Sequence, residues 1–334
     1  MSAPTQPADR PSEDYYSSYA DPGVHRLMLM DRVRTDAYRQ AIRQLVDEES
    51  IVLDVGSGTG ILSLFAAQAG AKEVHAAEAS DMIHMAERIA DANSLHGPIR
   101  FHKGPVEALE LDKPVSILVS EWMGYFALAE CMFESVLIAR DKHLAPGGVM
   151  VPSHVDMLLA PVEDSRLDFE HGFGFWEAPV FGFDFRELGD YERCDPLLTA
   201  PGVPFDALLG PACLLTTLDC QQGTSESFWF DVKRTLTIER QGMLHGFAGW
   251  FDAHLAPGVC LSTGPEAALT HWRQSFFPMR TTPVCAGDVL EVALRATRRP
   301  HGDTRLPIYF LEAELRREGR LVDSFFYRYY GSFE

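Results

Sequence analysis

Apolar and polar positions change their period once along this chain. Up to about residue 150, short apolar runs alternate with segments of helical period. Ala37, Tyr38, Ala41, Ile42, Leu45 and Val46 form one stripe over 36–46, the spacing of a helix face. IVLDVG at 51–56 is an apolar run closed by glycine, as expected of a buried parallel strand. ILSLFAAQAG at 61–70 reads as a helix stopped at Gly70. EVHAAE at 73–78 predicts a second strand. Ser80 is placed to cap a helix through Met82, Ile83, Met85, Ala86, Ile89 and Ala90. Strands at 99–104 and 116–121 follow, then a helix carrying Met132, Val136, Leu137 and Ala139. This alternation predicts a doubly wound parallel sheet. After VMVPSH at 149–154, FWFDVKRTLTI, MLHGFAGWFDAHL, DVLEVALRA, PIYFLEAEL and LVDSFFYRYY read as strands. They predict an antiparallel β domain, with a barrel as one form. Residues 171–206 are rich in Gly, Phe and Pro and show no clear period.

Composition narrows the reading. A length of 334 residues favours two domains. No apolar run approaches the roughly 18–20 residues of a membrane span, and the N-terminus has no secretory pattern. Residues 1–12 read as a disordered lead-in. The six cysteines are scattered with no CxxC pair, so reduced, mostly buried thiols are expected, with neither disulfides nor a metal site. A formal net charge of -19 argues against direct nucleic-acid binding. The same charge favours a cationic partner, and serves solubility equally well.

Three motifs carry candidate chemistry. Asp54-Val-Gly56-Ser-Gly58-Thr-Gly60 lies between a strand and a helix, where glycines admit a ligand close to the backbone. Glu78 ends the next strand, placed to accept from both ribose hydroxyls. No basic residue in the loop meets a pyrophosphate, so an adenosine ligand without phosphates, such as S-adenosylmethionine, fits better. Glu107 is placed to orient an adenine edge, although by itself it reads first as a solvated surface glutamate. Second, Glu121 closes a strand and Glu130 follows nine residues later across an aromatic loop. Two carboxylates converging there suit a planar guanidinium with its fork of donors. A hinge glutamate and a helix-dipole glutamate suit the pattern as well. Third, Thr270-His271-Trp272 sits in the β half. A lone histidine there is usually a satisfied core residue, unless paired with an acid such as Asp31 to relay a proton.

Together these residues resemble the protein arginine methyltransferase family, in order, from about residue 15 to 330. YYSSY (Tyr15, Tyr16, Tyr19) looks like the family's helix that folds over the cofactor. HRLMLMDRVRT (25–35) looks like its next segment, with His25 among the cofactor contacts and Arg34 on the methionine carboxylate. VLDVGSGTG resembles the cofactor loop, SEWMGY with its second glutamate the double-glutamate loop, and THW the barrel-side loop. The resemblance implies N-terminal helices over 13–50, a Rossmann-like methyltransferase domain over 51–151, and an antiparallel β-barrel domain over 152–334. A dimerisation arm is implied at about 176–206, giving a head-to-tail homodimer, with a cis-proline at Pro152 between domains.

The implied activity is methyl transfer from S-adenosylmethionine to an arginine ω-nitrogen, leaving S-adenosylhomocysteine. Glu121 and Glu130 would polarise the guanidinium. Tyr19, Met28, Tyr125, Met132 and Trp272 would shape the slot, and His271 with Asp31 would carry the proton away. Methionines at Met28 and Met132 resemble members that make asymmetric dimethylarginine, though both also suit core packing. Ser116, in place of a common acidic residue, and the small Phe126-Ala-Leu-Ala129 stretch depart from the family pattern. No accessory domain is read. Free arginine remains an alternative substrate, and an inactive dimeric scaffold an alternative from another class. The default location is cytoplasmic, with nuclear the alternative in a eukaryote.

Overall fold

The computed structural model describes residues 21–130, 132–192, 197–200, 202–299 and 306–330. Tyr15, Tyr16, Tyr19, Cys131, Cys194 and the expected lead-in lie outside the described residues. Asp31 divides the N-terminal stretch into two helices. Helix α1, Pro22–Met30, starts on an Asp21 cap, with proline in its first turn. Helix α2, Arg32–Leu45, starts where the Asp31 carboxylate accepts from Arg34 N at 3.0 Å. Tyr38, Ala41 and Ile42 of the predicted stripe are buried.

The first sheet has five parallel strands in the order β3-β2-β1-β4-β5. They are β1 Ile51–Val55, β2 Glu73–Glu78, β3 Ile99–Lys103, β4 Val115–Val119 and β5 Leu144–Val151. Helices α3 (Ile61–Gln68), α4 (Met82–Ala92) and α5 (Phe133–His143) lie along the crossovers. The residue before α4 is Asp81, and Ser80 accepts only a 3.3 Å bond from Met82 N. The strand order reverses between β1 and β4, the position at which open α/β sheets bind ligands. Ser116 ties these two strands together, accepting from Ile51 N at 3.0 Å and donating to Ile51 O at 3.1 Å. This hydroxyl explains how a residue other than an acid fits there.

The Val151–Pro152 bond is cis, and the antiparallel half starts immediately after it. Its strands are β6 His154–Val162, β7 Leu197–Ala200, β8 Cys213–Asp219, β9 Asp231–Thr237, β10 Gly242–Ala256, β11 Val259–Ser262, β12 Gln274–Val284, β13 Val289–Arg298, β14 Pro307–Arg317 and β15 Arg320–Tyr330. They form two sheets, β7-β12-β10-β6-β8 with β11 on β10, and β15-β14-β13-β9. Tyr329 Oη donates to Pro278 O at 2.8 Å across one seam, and Arg234 Nε to Leu214 O at 2.7 Å across the other. Strands β6, β7, β8, β11 and β12 were not predicted. Pro278 and Pro283 interrupt β12, and proline lacks the N–H that marks a strand interior. The C-terminal half of β6 is buried on both faces, so its sequence does not alternate.

Between β6 and β8 lie the short helices Ser165–His171, Gly174–Glu177 and Arg186–Glu192. Phe169, Phe175, Phe181, Phe183 and Phe185 are exposed on this segment. Asp168 anchors its base, accepting from Phe173 N and from the Thr281 hydroxyl of β12, both at 3.1 Å. Of the described cysteines only Cys220 is buried, while Cys260 is exposed and Cys213 and Cys285 lie between. The expectation of mostly buried thiols is therefore corrected: these positions fall on solvent-facing sides of strands and turns. No described helix is long and apolar enough to cross a membrane.

Candidate active site

The carboxyl ends of β1, β2 and β4, helix α1, the start of α2 and the loop before β12 enclose a cavity of about 260 Å³. Gly56 and Gly58 line it with φ of +70° and +52°. A side chain at Gly56 would meet Met132 Cε at 2.9 Å, and one at Gly58 would meet His25 Cε1 at 2.9 Å. Glycine is needed at both for conformation and for space. Glu78 accepts from Gly58 N at 2.8 Å on one oxygen and from Ser80 N at 2.7 Å on the other. Each oxygen keeps a second lone pair for a ligand hydroxyl. Glu107 also lines the cavity, exposed, with its Oε1 bonded by the Ser135 hydroxyl at 2.6 Å.

Glu121 closes β4, where Tyr38 and Ser120 hold the strand end. Tyr38, fully buried, donates to Ser120 O at 3.1 Å, and Ser120 Oγ donates to Val55 O at 2.8 Å. Arg34 reaches Glu121 Oε2 with Nε at 2.9 Å and Nη2 at 2.8 Å. Both contacts fall on one oxygen. The Arg34 Nη1 donates to Met28 O at 3.2 Å, tying α1 to α2. Arg34 was expected on a cofactor carboxylate. In this structure its donors go to Glu121 and to Met28 O, because a buried carboxylate requires a charged partner.

The loop from Glu121 to Glu130 is held by its backbone. Phe126, Ala127 and Glu130 adopt φ of +46°, +59° and +79°, each costing roughly 1 kcal/mol or more for a residue other than glycine. Contacts from the β half offset that cost. Trp272 Nε1 donates to Met123 O at 2.7 Å. The Phe126 ring packs edge-on against Phe277, with centroids 5.3 Å apart, and lies 5.7 Å from Tyr309. Gly124 is pressed on the loop's own return, so that a Cβ there would sit 2.0 Å from Ala129 O. As a result Glu121, Tyr125, Glu130 and Met132 line the same cavity. Burial and the charge of Glu130 raise the Tyr125 pKa against the opposing Arg273.

Asp31 and His271 meet across 240 residues of sequence. His271 Nδ1 lies 2.8 Å from Asp31 Oδ2, and His271 N donates to the same oxygen at 2.9 Å. Burial alone would raise the Asp31 pKa, but these bonds and the one from Arg34 N hold it below the usual carboxylate value. Asp31 thus caps α2 and orients His271 with one side chain.

Residues 154–310 match a model described as the arginine methyltransferase oligomerization subdomain, and residues 52–148 one described as a methyltransferase domain. Protein arginine N-methyltransferase 1 of Schizosaccharomyces pombe is 39% identical over 287 residues, covering 84% of this chain and 83% of that protein. Protein arginine N-methyltransferase 6 of Danio rerio is 38% identical over 279 residues, covering 80% of each. A solved Trypanosoma brucei PRMT1 enzyme-prozyme complex with AdoHcy superposes with a TM-score of 0.87 at 29% identity, covering 94% of this chain and 100% of that one.

The chain belongs to the protein arginine N-methyltransferase family.

As an S-adenosylmethionine-dependent arginine methyltransferase, it carries the family's oligomerisation subdomain behind a Rossmann-like sheet. His25, Met28, Arg34, Gly56, Gly58, Glu78, Glu107, Glu121, Tyr125, Glu130, Met132, His271 and Trp272 all line one methyltransferase cavity. Asp54 and Gly60 are not among the lining residues. Asp54 is fully buried and accepts from Ser63 N at 3.0 Å and Ser63 Oγ at 2.7 Å, bracing the first turn of α3. Gly60 begins α3 with φ +78°, and a Cβ there would press on Ala86 of α4 at 3.2 Å. Both shape the loop from behind. Sequence reasoning missed Tyr38, the Arg34–Glu121 pair and the seating of Phe126. Each joins residues distant in sequence, and none has a spacing signal.

Proposed function

We propose that this methyltransferase acts on arginine in proteins, giving monomethylarginine and then asymmetric dimethylarginine, and works as a head-to-tail homodimer. The observation that carries this reading is that Glu121 and Glu130 line one cavity together with Met28 and Met132. A protonated guanidinium is a poor nucleophile, and arginine stays protonated at physiological pH. Two carboxylates draw its positive charge toward the nitrogens they bond, leaving electron density on the remaining one. Because Arg34 occupies only Oε2 of Glu121, the other oxygen remains for substrate. His271, held by Asp31, is the group suited to accept the released proton. Gly56, Gly58 and Glu78 would hold S-adenosylmethionine, which when bound supplies an electrophilic methyl group. The fit rests on the backbone approach at the two glycines and the Glu78 carboxylate. Unbranched methionines leave room beside the substrate nitrogen that a phenylalanine would fill, which supports asymmetric addition of the second methyl.

The deciding assay uses methyl-labelled S-adenosylmethionine with an Arg-Gly-rich peptide in one reaction and free L-arginine in another. Label on peptide arginine, with neutral loss of dimethylamine in mass spectrometry, is expected. Label confined to free arginine would move the activity to small molecules. Symmetric product would overturn the role given to the methionines.

A further inference from the structure

Away from the methyl-transfer cavity, β6 and β10 pair in a register that sets His154 opposite His254 and Asp156 opposite Asp252. Directly opposed residues, and residues two apart on one strand, share a face. Strand β8 adds Thr217 beside Asp156, and β11 adds Cys260 beside His254. The other face carries the buried Val155, Met157, Ala253 and Leu255. A His-x-Asp pair in one strand and an Asp-x-His pair in its neighbour thus gather two imidazoles and two carboxylates on the face away from the core.

The geometry is that of a ligand set. The two imidazoles stack with centroids 4.0 Å apart and planes 13° from parallel. His254 Nε2 lies 3.0 Å from Asp156 Oδ2. One donor atom each from His154, Asp156 and His254 fall within 4.8 Å of one another. The surrounding bonds prepare them. Ser153 Oγ donates to His254 O at 3.1 Å, so at 3.0 Å it accepts the Nδ1 proton of His154. That tautomer leaves a lone pair on His154 Nε2. The Thr217 hydroxyl donates to Asp156 Oδ1 at 2.5 Å, which leaves Oδ2 as the coordinating oxygen. Asp252 Oδ1 is sealed from solvent and makes no hydrogen bond. No residue of the cluster lines the methyl-transfer cavity.

We propose that His154, Asp156 and His254 bind one divalent transition-metal ion of the zinc class on the outer face of the β domain. Two imidazoles and one carboxylate suit zinc, cobalt or nickel, whereas calcium and magnesium prefer oxygen ligands alone. Ligand atoms around tetrahedral zinc stand roughly 3.3 Å apart, reached here by small side-chain rotations. Register sets Asp252 and Cys260 alongside as further donors. The ion clamps β6 to β10 just beyond Pro152, where the chain leaves the parallel sheet. Its role is structural and does not depend on the methyl-transfer reading. No metal site was expected from the sequence, since the two dipeptide patterns are far apart until the strands pair.

The test uses the full chain without a histidine tag, stripped with a chelator and titrated with zinc by calorimetry. One ion per chain is expected. His154→Gln and His254→Gln should each weaken binding by about 100-fold or more, and Ser153→Ala by about 10-fold, the range for loss of a residue that orients a ligand. The melting temperature should rise with zinc in the parent and not in His254→Gln, while His271→Ala should bind as the parent does. Cobalt in place of zinc should give a four- or five-coordinate visible spectrum. Absence of a one-to-one ion in the parent would overturn the proposal, as would undiminished affinity in both glutamine variants. If a glutamine variant fails to fold, the parent titration and Ser153→Ala decide it.

Discussion

Charged side chains in this cavity act in pairs, and each pair does two jobs. Asp31 caps a helix and orients His271. Arg34 neutralises part of Glu121 and ties α1 to α2. Replacing Glu121 by glutamine keeps the shape and an acceptor for Arg34 but removes the charge that polarises the substrate. Turnover is expected to fall about 10³-fold, the range for losing one charge-stabilising group, with S-adenosylhomocysteine binding retained. Label incorporation and calorimetry would measure the two, and near-parental turnover would exclude the mechanism. Asp54 makes a different case. Burial pushes its pKa up to about 7, against 3.8 for an exposed group, with Ser63 opposing the shift. Between those values the folded chain keeps a proton that the unfolded chain has released. Stability therefore falls as pH rises from about 4 to about 7 and levels off above, a change of roughly 4 kcal/mol at most. Asp54→Asn should flatten that slope in denaturant midpoints taken across the window.

At the scale of elements, the double-glutamate loop belongs to both halves of the molecule. It leaves the parallel sheet at Glu121, yet its conformation depends on Trp272 and on the aromatic seat of Phe126 between Phe277 and Tyr309. The small Phe126–Ala129 stretch, expected to shape the cavity mouth, is buried and bears on packing between domains. Gly249 of β10 leaves the space that the Phe126 ring fills, since a Cβ there would stand 2.7 Å from it. Truncating Phe126 to alanine should cost about 3–5 kcal/mol in urea melts. It should also lower activity beyond what the lost stability explains, because Glu130 would lose its fixed backbone. A variant that is destabilised yet turns over normally when folded would show that the loop does not need this anchor.

The whole molecule presents an arm of exposed aromatics, with Phe181 98% and Phe183 69% accessible in the single chain. A soluble protein rarely leaves such a cluster uncovered, and an oligomerisation subdomain supplies the reason. In the proposed homodimer, a Phe181→Ser, Phe183→Ser double variant is expected to sediment as a monomer at concentrations where the parent sediments as a dimer. Its activity should fall at the same time, since the proposed homodimer docks this segment on a second cofactor domain. A dimer that survives both substitutions would put the interface elsewhere.

The alternation of strands and helices up to residue 150, the glycine loop and the two glutamates nine residues apart were legible in the sequence. Their physical causes are local: helical and strand period, a φ only glycine takes easily, and a carboxylate at a strand end. Strands β6 and β12 were not legible, because two-sided burial and prolines erase alternation. Nor were the Arg34–Glu121 contact, the support of Phe126, or the His154–Asp156–His254 cluster. Sequence set which groups the chain possesses. Only the packing of one domain on the other, and the register of β6 on β10, decided which of them meet, because a charge or an imidazole gains its partner through space and carries no mark of it along the chain.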